Sequence, residues 1–94
     1  MIVSACVRMF TKPESKFLET MFDFPCHRHA DAYYIASQFM DPEDIDRRKT
    51  QQGFLTHDDI FLDRYEAMDH AIACGQLPPE AKEACAELYS EDLW

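Results

Sequence analysis

The sequence predicts an α+β domain: a small four-stranded sheet, antiparallel or mixed, made of two ββα-like halves with helices on one face. Three observations predict it. Apolar residues alternate with period two at the start of the chain, helical spacing takes over at 28–40, and short apolar runs followed by helical spacing return after Gly53. With 94 residues, 47% hydrophobic and 13% aromatic, the chain supports one modest core. Residues 1–94 are therefore read as a single domain, with 86–94 as a C-terminal docking tail.

Val3, Ala5, Val7 and Met9 share one face of the opening segment and Ser4, Cys6 and Arg8 the other, the pattern of a half-buried strand. The polar TKPESK (11–16) reads as a turn. Leu18, Thr20, Phe22 and Phe24 then lie opposite Glu19, Met21 and Asp23, which predicts a second strand and an antiparallel hairpin, ended by Pro25. Ala32, Ile35, Ala36 and Phe39 form a helical stripe flanked by Tyr33 and Tyr34. Asp41 and Pro42 suit an N-cap and first helical position of a further turn, and the polar IDRRKTQQ continues it into a loop.

After Gly53, Phe54-Leu55-Thr56 and Ile60-Phe61-Leu62 flank His57-Asp58-Asp59 as a second hairpin. Asp63 and Glu66 are placed as a capping box, and Ala67, Met68, Ala71, Ile72 and Gly75 share a helical face that ends in a left-handed glycine cap. Pro78-Pro79 stops this helix. A short last helix is expected from Glu80 to Tyr89, with Ala81, Ala84, Cys85 and Leu88 on one side.

Eighteen Asp and Glu against nine Lys and Arg give a net charge of -9, which excludes non-specific binding to DNA or anionic membranes. No direct nucleic-acid or membrane partner is expected; a basic protein is, including one that itself binds nucleic acid. MIVSACVRMF has no long apolar run and is broken by Arg8, so it is not read as an export signal, and no stretch is long enough for a membrane span. Cys6, Cys26, Cys74 and Cys85 form no C-x-x-C pair; they are expected to be reduced, Cys6 and Cys74 as small core residues.

Reactive side chains are densest in PCHRHAD (25–31). As a metal site it offers Cys26, His27 and His29, but Cys74, Cys85, His57 and His70 have no paired spacing to complete a set, so no metal ligand and no cofactor is assigned. Cys26 as a nucleophile would need a lowered pKa, and no Gly-rich turn supplies an oxyanion hole, so no catalytic residue is assigned. The third reading is anion capture. Arg28 and His29 start the first helix and Arg64 starts the second. If the strands before them are neighbours running the same way, both helix starts open at one sheet edge. The ligand-binding set is then Arg28, His29, Asp31, Tyr33, Arg64 and Tyr65, with tyrosine rings stacking on a base. Against it stands a plainer reading: Arg28 pairs with Asp31, Arg64 pairs with a nearby acid, and the histidines are satisfied by backbone. Asp41, Glu43, Asp44, Asp58, Asp59 and Trp94 are the partner-binding candidates. The LYSEDLW tail docks either on its own domain or on another protein, with Trp94 as anchor. The open sheet face and sheet edges leave homo-oligomerisation open.

QGFLT (52–56), FLDRYEA (61–67), GQL (75–77) and LYSEDLW (88–94), preceded by the R-H-x-D element Arg28, His29 and Asp31, resemble an uncharacterised family of small tailed-bacteriophage proteins. The resemblance runs from about residue 26 to the end, with a similar opening strand, and departs at 41–51. It implies a phage-derived protein in the cytoplasm of the infected bacterial host. There it would counter host defence, as an anti-CRISPR-like or other anti-immune inhibitor, by non-enzymatic binding of a host factor through an acidic surface. The alternatives are a sponge for a nucleotide or cyclic-nucleotide immune signal and a small metal-dependent hydrolase.

Overall fold

In the computed structural model, which describes residues 1–38 and 40–94, four strands form one antiparallel sheet in the order β2-β1-β3-β4. They are β1 (Ile2–Phe10), β2 (Met21–Cys26), β3 (Gln51–Thr56) and β4 (Phe61–Asp63). Helix α1 (His29–Ser37) follows β2, α2 (Arg64–Ala73) follows β4, and α3 (Ala81–Ala84) is a single turn. The expected α+β class, four-stranded sheet and ββα order are all present.

Both main helices cover the face of the sheet that carries Ala5, Val7, Met9 and Phe54. The first half of β1 lies under α2, where Ile2, Ala5, Phe54, Ala67, Met68, Ala71 and Leu88 form one buried cluster. The second half lies under α1, where Val7, Met9, Phe24, Ala32, Ala36 and Met40 form another. Laid side by side, the two clusters give an elongated body of 45 × 24 × 19 Å with a radius of gyration of 14.3 Å. About 12 Å is usual for this chain length.

Local deviations from the expected pattern have identifiable causes. Pairing of β1 with β3 slips between Ile2 and Ser4, so Val3 is an extra, 52% exposed residue, and Ile2 enters the core in its place. The second strand begins at Met21 rather than Leu18. Thr11 Oγ1 donates to Leu18 O (2.5 Å) and accepts from Thr20 N (2.9 Å), which folds 15–20 into a turn and puts Leu18 at φ 56°. Pro25 does not end β2 but sits within it, opposite Cys6, as an edge strand permits. On α1 the inward positions are His29, Ala32 and Ala36, whereas Ile35 is 42% exposed; Phe39, expected on the same stripe, lies outside the described residues. Asp41 and Asp44 form the capping box of a 3-10 turn over Pro42–Asp44, with Pro42 at its start as expected.

The helix expected at 80–89 stops after Ala84, where Cys85 turns extended. Leu88 N then donates to Arg64 O (2.9 Å), which draws the chain off α3 and onto the start of α2. The C-terminus of α2 follows expectation: Gly75 adopts φ 82°, Gly75 N donates to Ile72 O (3.1 Å) and Gln76 N to Ala71 O (2.8 Å), a Schellman cap.

The face without helices has its own cover. The Phe61 ring lies across Gly53, the guanidinium of Arg8 stands 4.2 Å over that ring, and Arg8 grips Asp23 through two hydrogen bonds of 2.8 and 3.0 Å. Cys6 is fully buried beneath this arrangement, as expected of a small core residue, whereas Cys74, expected to share that role, is exposed.

Candidate functional site

The arrangement anticipated for Arg28 and Arg64 required neighbouring parallel strands. The strands do not meet that premise, because β2 and β4 are opposite edges of the sheet and run in opposite directions. The two helix starts approach each other for a different reason. β2 ends at Cys26, paired with Ala5, and the three-residue β4 ends at Asp63, paired with Gly53, which itself pairs with Cys6. Both strands therefore stop at adjacent levels of β1, and both helices begin over the middle of the sheet, beside Gln52–Phe54 of β3.

His29 is the contact of α1 with this point. It is 7% exposed, its Nε2–H donates to Gly53 O (2.8 Å), and its ring stands edge-on to Phe54 at 5.2 Å. Burial lowers its pKa; the Gly53 carbonyl and the charge of Glu91 act in the raising direction, and Arg64 adds to the lowering. This is the backbone-satisfied histidine of the plainer reading.

Arg64 is the contact of α2. It donates from Nη1 to Leu88 O (2.7 Å) and from Nη2 to Gln52 Oε1 (2.5 Å), and its guanidinium lies 4.4 Å over the Tyr89 ring. Gln52 passes the chain on, its Nε2 donating to Tyr33 OH (3.0 Å). Arg28, at the N-cap of α1, donates from Nη2 to the main-chain oxygen of Trp94, while its Nη1 is buried without a hydrogen-bond partner among the described residues. Trp94 packs on His27 (5.6 Å) and Phe54 (6.4 Å). Leu88 is completely buried, and Tyr65 OH donates to Glu87 Oε1 (2.7 Å).

The mouth between the two helix starts is thus occupied by the chain's own segment Glu87–Trp94, with one guanidinium at each end. The pairing of Arg28 with Asp31 does not form: Asp31 stands exposed in the first turn of α1 and its carboxylate pairs with no described residue. Of the six anticipated ligand residues, Arg28 and Arg64 bind the tail directly and Tyr65 binds it through Glu87. His29 and Tyr33 join it through β3, and Asp31 takes no part.

The partner candidates separate. Asp41, Glu43 and Asp44 stand at the Phe10 end of β1, where Asp46 N donates to Phe10 O (2.8 Å) and Lys12 N to Asp44 O (2.9 Å). Asp58 and Asp59 stand at the Met1 end, where His57 N donates to Met1 O (3.0 Å). The strand between spans about 27 Å. Trp94 is docked on its own domain.

Burial pushes the Cys6 thiol up to about 12, with the charge of Asp23 next in effect. Cys26 is likewise raised, first by burial and then by Asp31. Neither environment favours a thiolate. Among the described residues no three His, Cys, Asp or Glu side chains are grouped to hold a metal ion, and no helix is long and apolar enough to cross a membrane.

The family described as Phage T4 y16D protein matches residues 1–94, the whole chain. The chain belongs to the phage T4 y16D protein family. No curated protein and no solved structure matches it. Within the family match, the segments that carried the resemblance to small phage proteins have definite structural positions. QGFLT is β3 with Gln52 and Gly53, FLDRYEA supplies β4 and the capping box of Asp63 and Glu66, and LYSEDLW is the docked tail. In GQL, Gly75 closes α2 and Gln76 pairs with Ile2 as a further strand residue would, accepting from Ile2 N (2.7 Å) and donating to Ile2 O (2.9 Å). Gln52 and Gln76 were missed by sequence reasoning, since amide side chains that bridge groups far apart in the chain leave no periodic signal. Their presence in the quoted motifs was the available hint.

Proposed function

We propose that this phage-encoded accessory protein acts non-enzymatically in the cytoplasm of the infected host. It counters a host defence system by occupying a basic host factor through the acidic surface of α2, α3 and the docked tail. The supporting observation is the uneven charge. Residues 57–94 hold ten acids against Arg64 and Lys82, a net of -8, whereas residues 1–56 hold eight acids against seven bases, a net of -1. Nine of those ten acids are exposed, Glu87 being half-buried. Arg64 is turned inward onto the tail, and Lys82 is paired with Asp69 at 2.7 Å. A surface of one sign steers a partner of the opposite sign and selects against like-charged ones. Asp58 and Asp59 belong to this surface. Asp41, Glu43 and Asp44 instead share their end of the molecule with the basic run Arg47–Lys49.

The nucleotide-sponge reading at Arg28 and Arg64 requires a ligand that displaces the tail, and the metal-dependent hydrolase reading requires a ligand set that the described His, Cys, Asp and Glu side chains do not form. The test is plaquing on hosts carrying defined defence systems. Expression of the chain is expected to restore plating of a sensitive phage on at least one of them. A variant with Asp58→Asn, Asp59→Asn, Glu80→Gln, Glu83→Gln and Glu91→Gln, folded by circular dichroism, is expected to lose that protection at least tenfold. Full protection by the folded variant would remove the acidic surface from the explanation.

A further inference from the structure

At the end of the molecule away from the tail, a groove of about 440 Å³ opens between α1 and the connector 41–50. We propose that it binds a small amphipathic organic anion, an apolar body carrying one acidic group. The volume lies in the usual range of small-ligand sites, about 300–1,000 Å³. Met9, Ala36, Met40 and Ile45 form an apolar lining, with Tyr33, Ser37, Arg47 and Thr50 as its polar members. Nothing in the lining offers a carboxylate.

The charge at the rim selects the sign of the ligand. The Arg47 side chain is exposed and makes no hydrogen bond or ion pair with any described residue; nor do the side chains of half-buried Lys12 and exposed Arg48 in the shallower depression that adjoins the groove and shares Arg47. That depression also holds Glu43 and Asp46, against the three bases Lys12, Arg47 and Arg48; Asp46 Oδ1 accepts from Arg48 N (3.2 Å), and nearby Asp44 Oδ2 accepts from Asp41 N (3.3 Å). Free guanidinium beside an apolar cleft pairs with carboxylate, sulfonate or phosphate through parallel N–H bonds, while the rest of the ligand leaves water against methionine and isoleucine. The site is independent of the acidic surface proposed above, and its failure leaves that proposal standing.

The experiment is a fluorescence titration with 8-anilinonaphthalene-1-sulfonate, an apolar ring system with one anionic group, followed by amide chemical shifts. Saturable binding of one equivalent is expected, with shifts centred on Ala36, Ser37 and 45–50. Two exposed substitutions, Arg47→Glu to reverse the charge and Ser37→Trp to fill the groove, are each expected to weaken it at least tenfold. Lys82→Glu, on α3, is expected to leave it unchanged. Displacement of the probe by adenosine monophosphate marks a nucleotide as the occupant, and displacement by decanoate marks a fatty acid. Absence of saturable binding, binding that survives both Arg47→Glu and Ser37→Trp, shifts confined to other residues, or failure of both competitors would each overturn the proposal.

Discussion

Arg64→Ala removes the clamp on the tail, and its cost can be worked from the contacts. Two hydrogen bonds from a charged donor are lost, to Leu88 O at 2.7 Å and Gln52 Oε1 at 2.5 Å, each of a kind that contributes roughly 1.5–3 kcal/mol. Stacking over Tyr89 at 4.4 Å adds about 0.5–1 kcal/mol. These interactions hold one segment and are not additive, and Arg64 is partly solvated, so about 3 kcal/mol is the reasoned total. For 94 residues the unfolding entropy is about 0.2 kcal/mol per degree, which converts this loss into a fall in Tm of about 15 °C. Trp94 is the only tryptophan, so its emission reports tail docking separately from the far-ultraviolet signal of the sheet and helices. The expected result is that Trp94 becomes open to acrylamide quenching at temperatures where circular dichroism is still native. Arg64→Lys, which keeps the charge but not the forked geometry, should fall between. A Tm within 3 °C of the parent with unchanged Trp94 quenching would refute the reasoning.

Three further expectations are independent of the tail. Gly53→Ala places a Cβ against Leu62 O and 2.5 Å from Phe61 Cζ, so either the β3–β4 pairing or the ring must move; a loss of about 3 kcal/mol by urea unfolding is expected. His29 has a folded-state pKa below its unfolded value of about 6.5, so the unfolded chain binds the extra proton first. Its contribution to stability is complete above pH 6.5 and declines as pH falls from there toward the folded pKa, and His29→Gln should flatten unfolding free energy against pH between 7.5 and 5. Thiol labelling of the native protein at pH 8 should modify Cys74 and Cys85, both exposed, promptly; Cys6, buried with its pKa at about 12, and Cys26, also raised, should follow only on unfolding. Four equally fast thiols would contradict the burial described.

The elements most legible from sequence were those written in local signals. Asp63 and Glu66 cap α2, Gly75 ends it, and Asp41-Pro42 starts a turn, because each signal and its partner lie within a few residues. Periodicity read β1 correctly over Ala5–Met9 and failed at Val3, since a bulge shifts the phase without any mark in composition. Ile35 was placed inward and His29 was not counted as core, because apolarity is a poor guide where a polar ring can bond a carbonyl across the sheet. The last helix was overextended since its end is decided by Arg64, 24 residues away, and not by its own propensities. For the site, residue choice was better than geometry. Arg28 and Arg64 do converge, but what they converge on is the tail, and strand order, which decides that, is a long-range property.

The choice of acceptor by these two arginines has a consequence for charge. Each binds a main-chain oxygen of the tail, Leu88 O in one case and Trp94 O in the other, and neither is spent on the carboxylates of Glu91 or Asp92. Guanidinium paired with those acids would have neutralised the tail while holding it. Bound to main-chain oxygens, it fixes the path of the backbone and leaves Glu91 and Asp92 exposed, the latter also capping its own 3-10 turn by accepting from Tyr89 N at 2.9 Å. The inward-turned cations and the outward acids are therefore two sides of one arrangement. Arg64→Ala scatters the acids of 87–92 while making the net charge one unit more negative than -9. A docking surface that depends on where those charges stand should then weaken in Arg64→Ala, even at temperatures where the sheet remains folded. A partner that responded only to overall charge would bind Arg64→Ala at least as tightly as the parent.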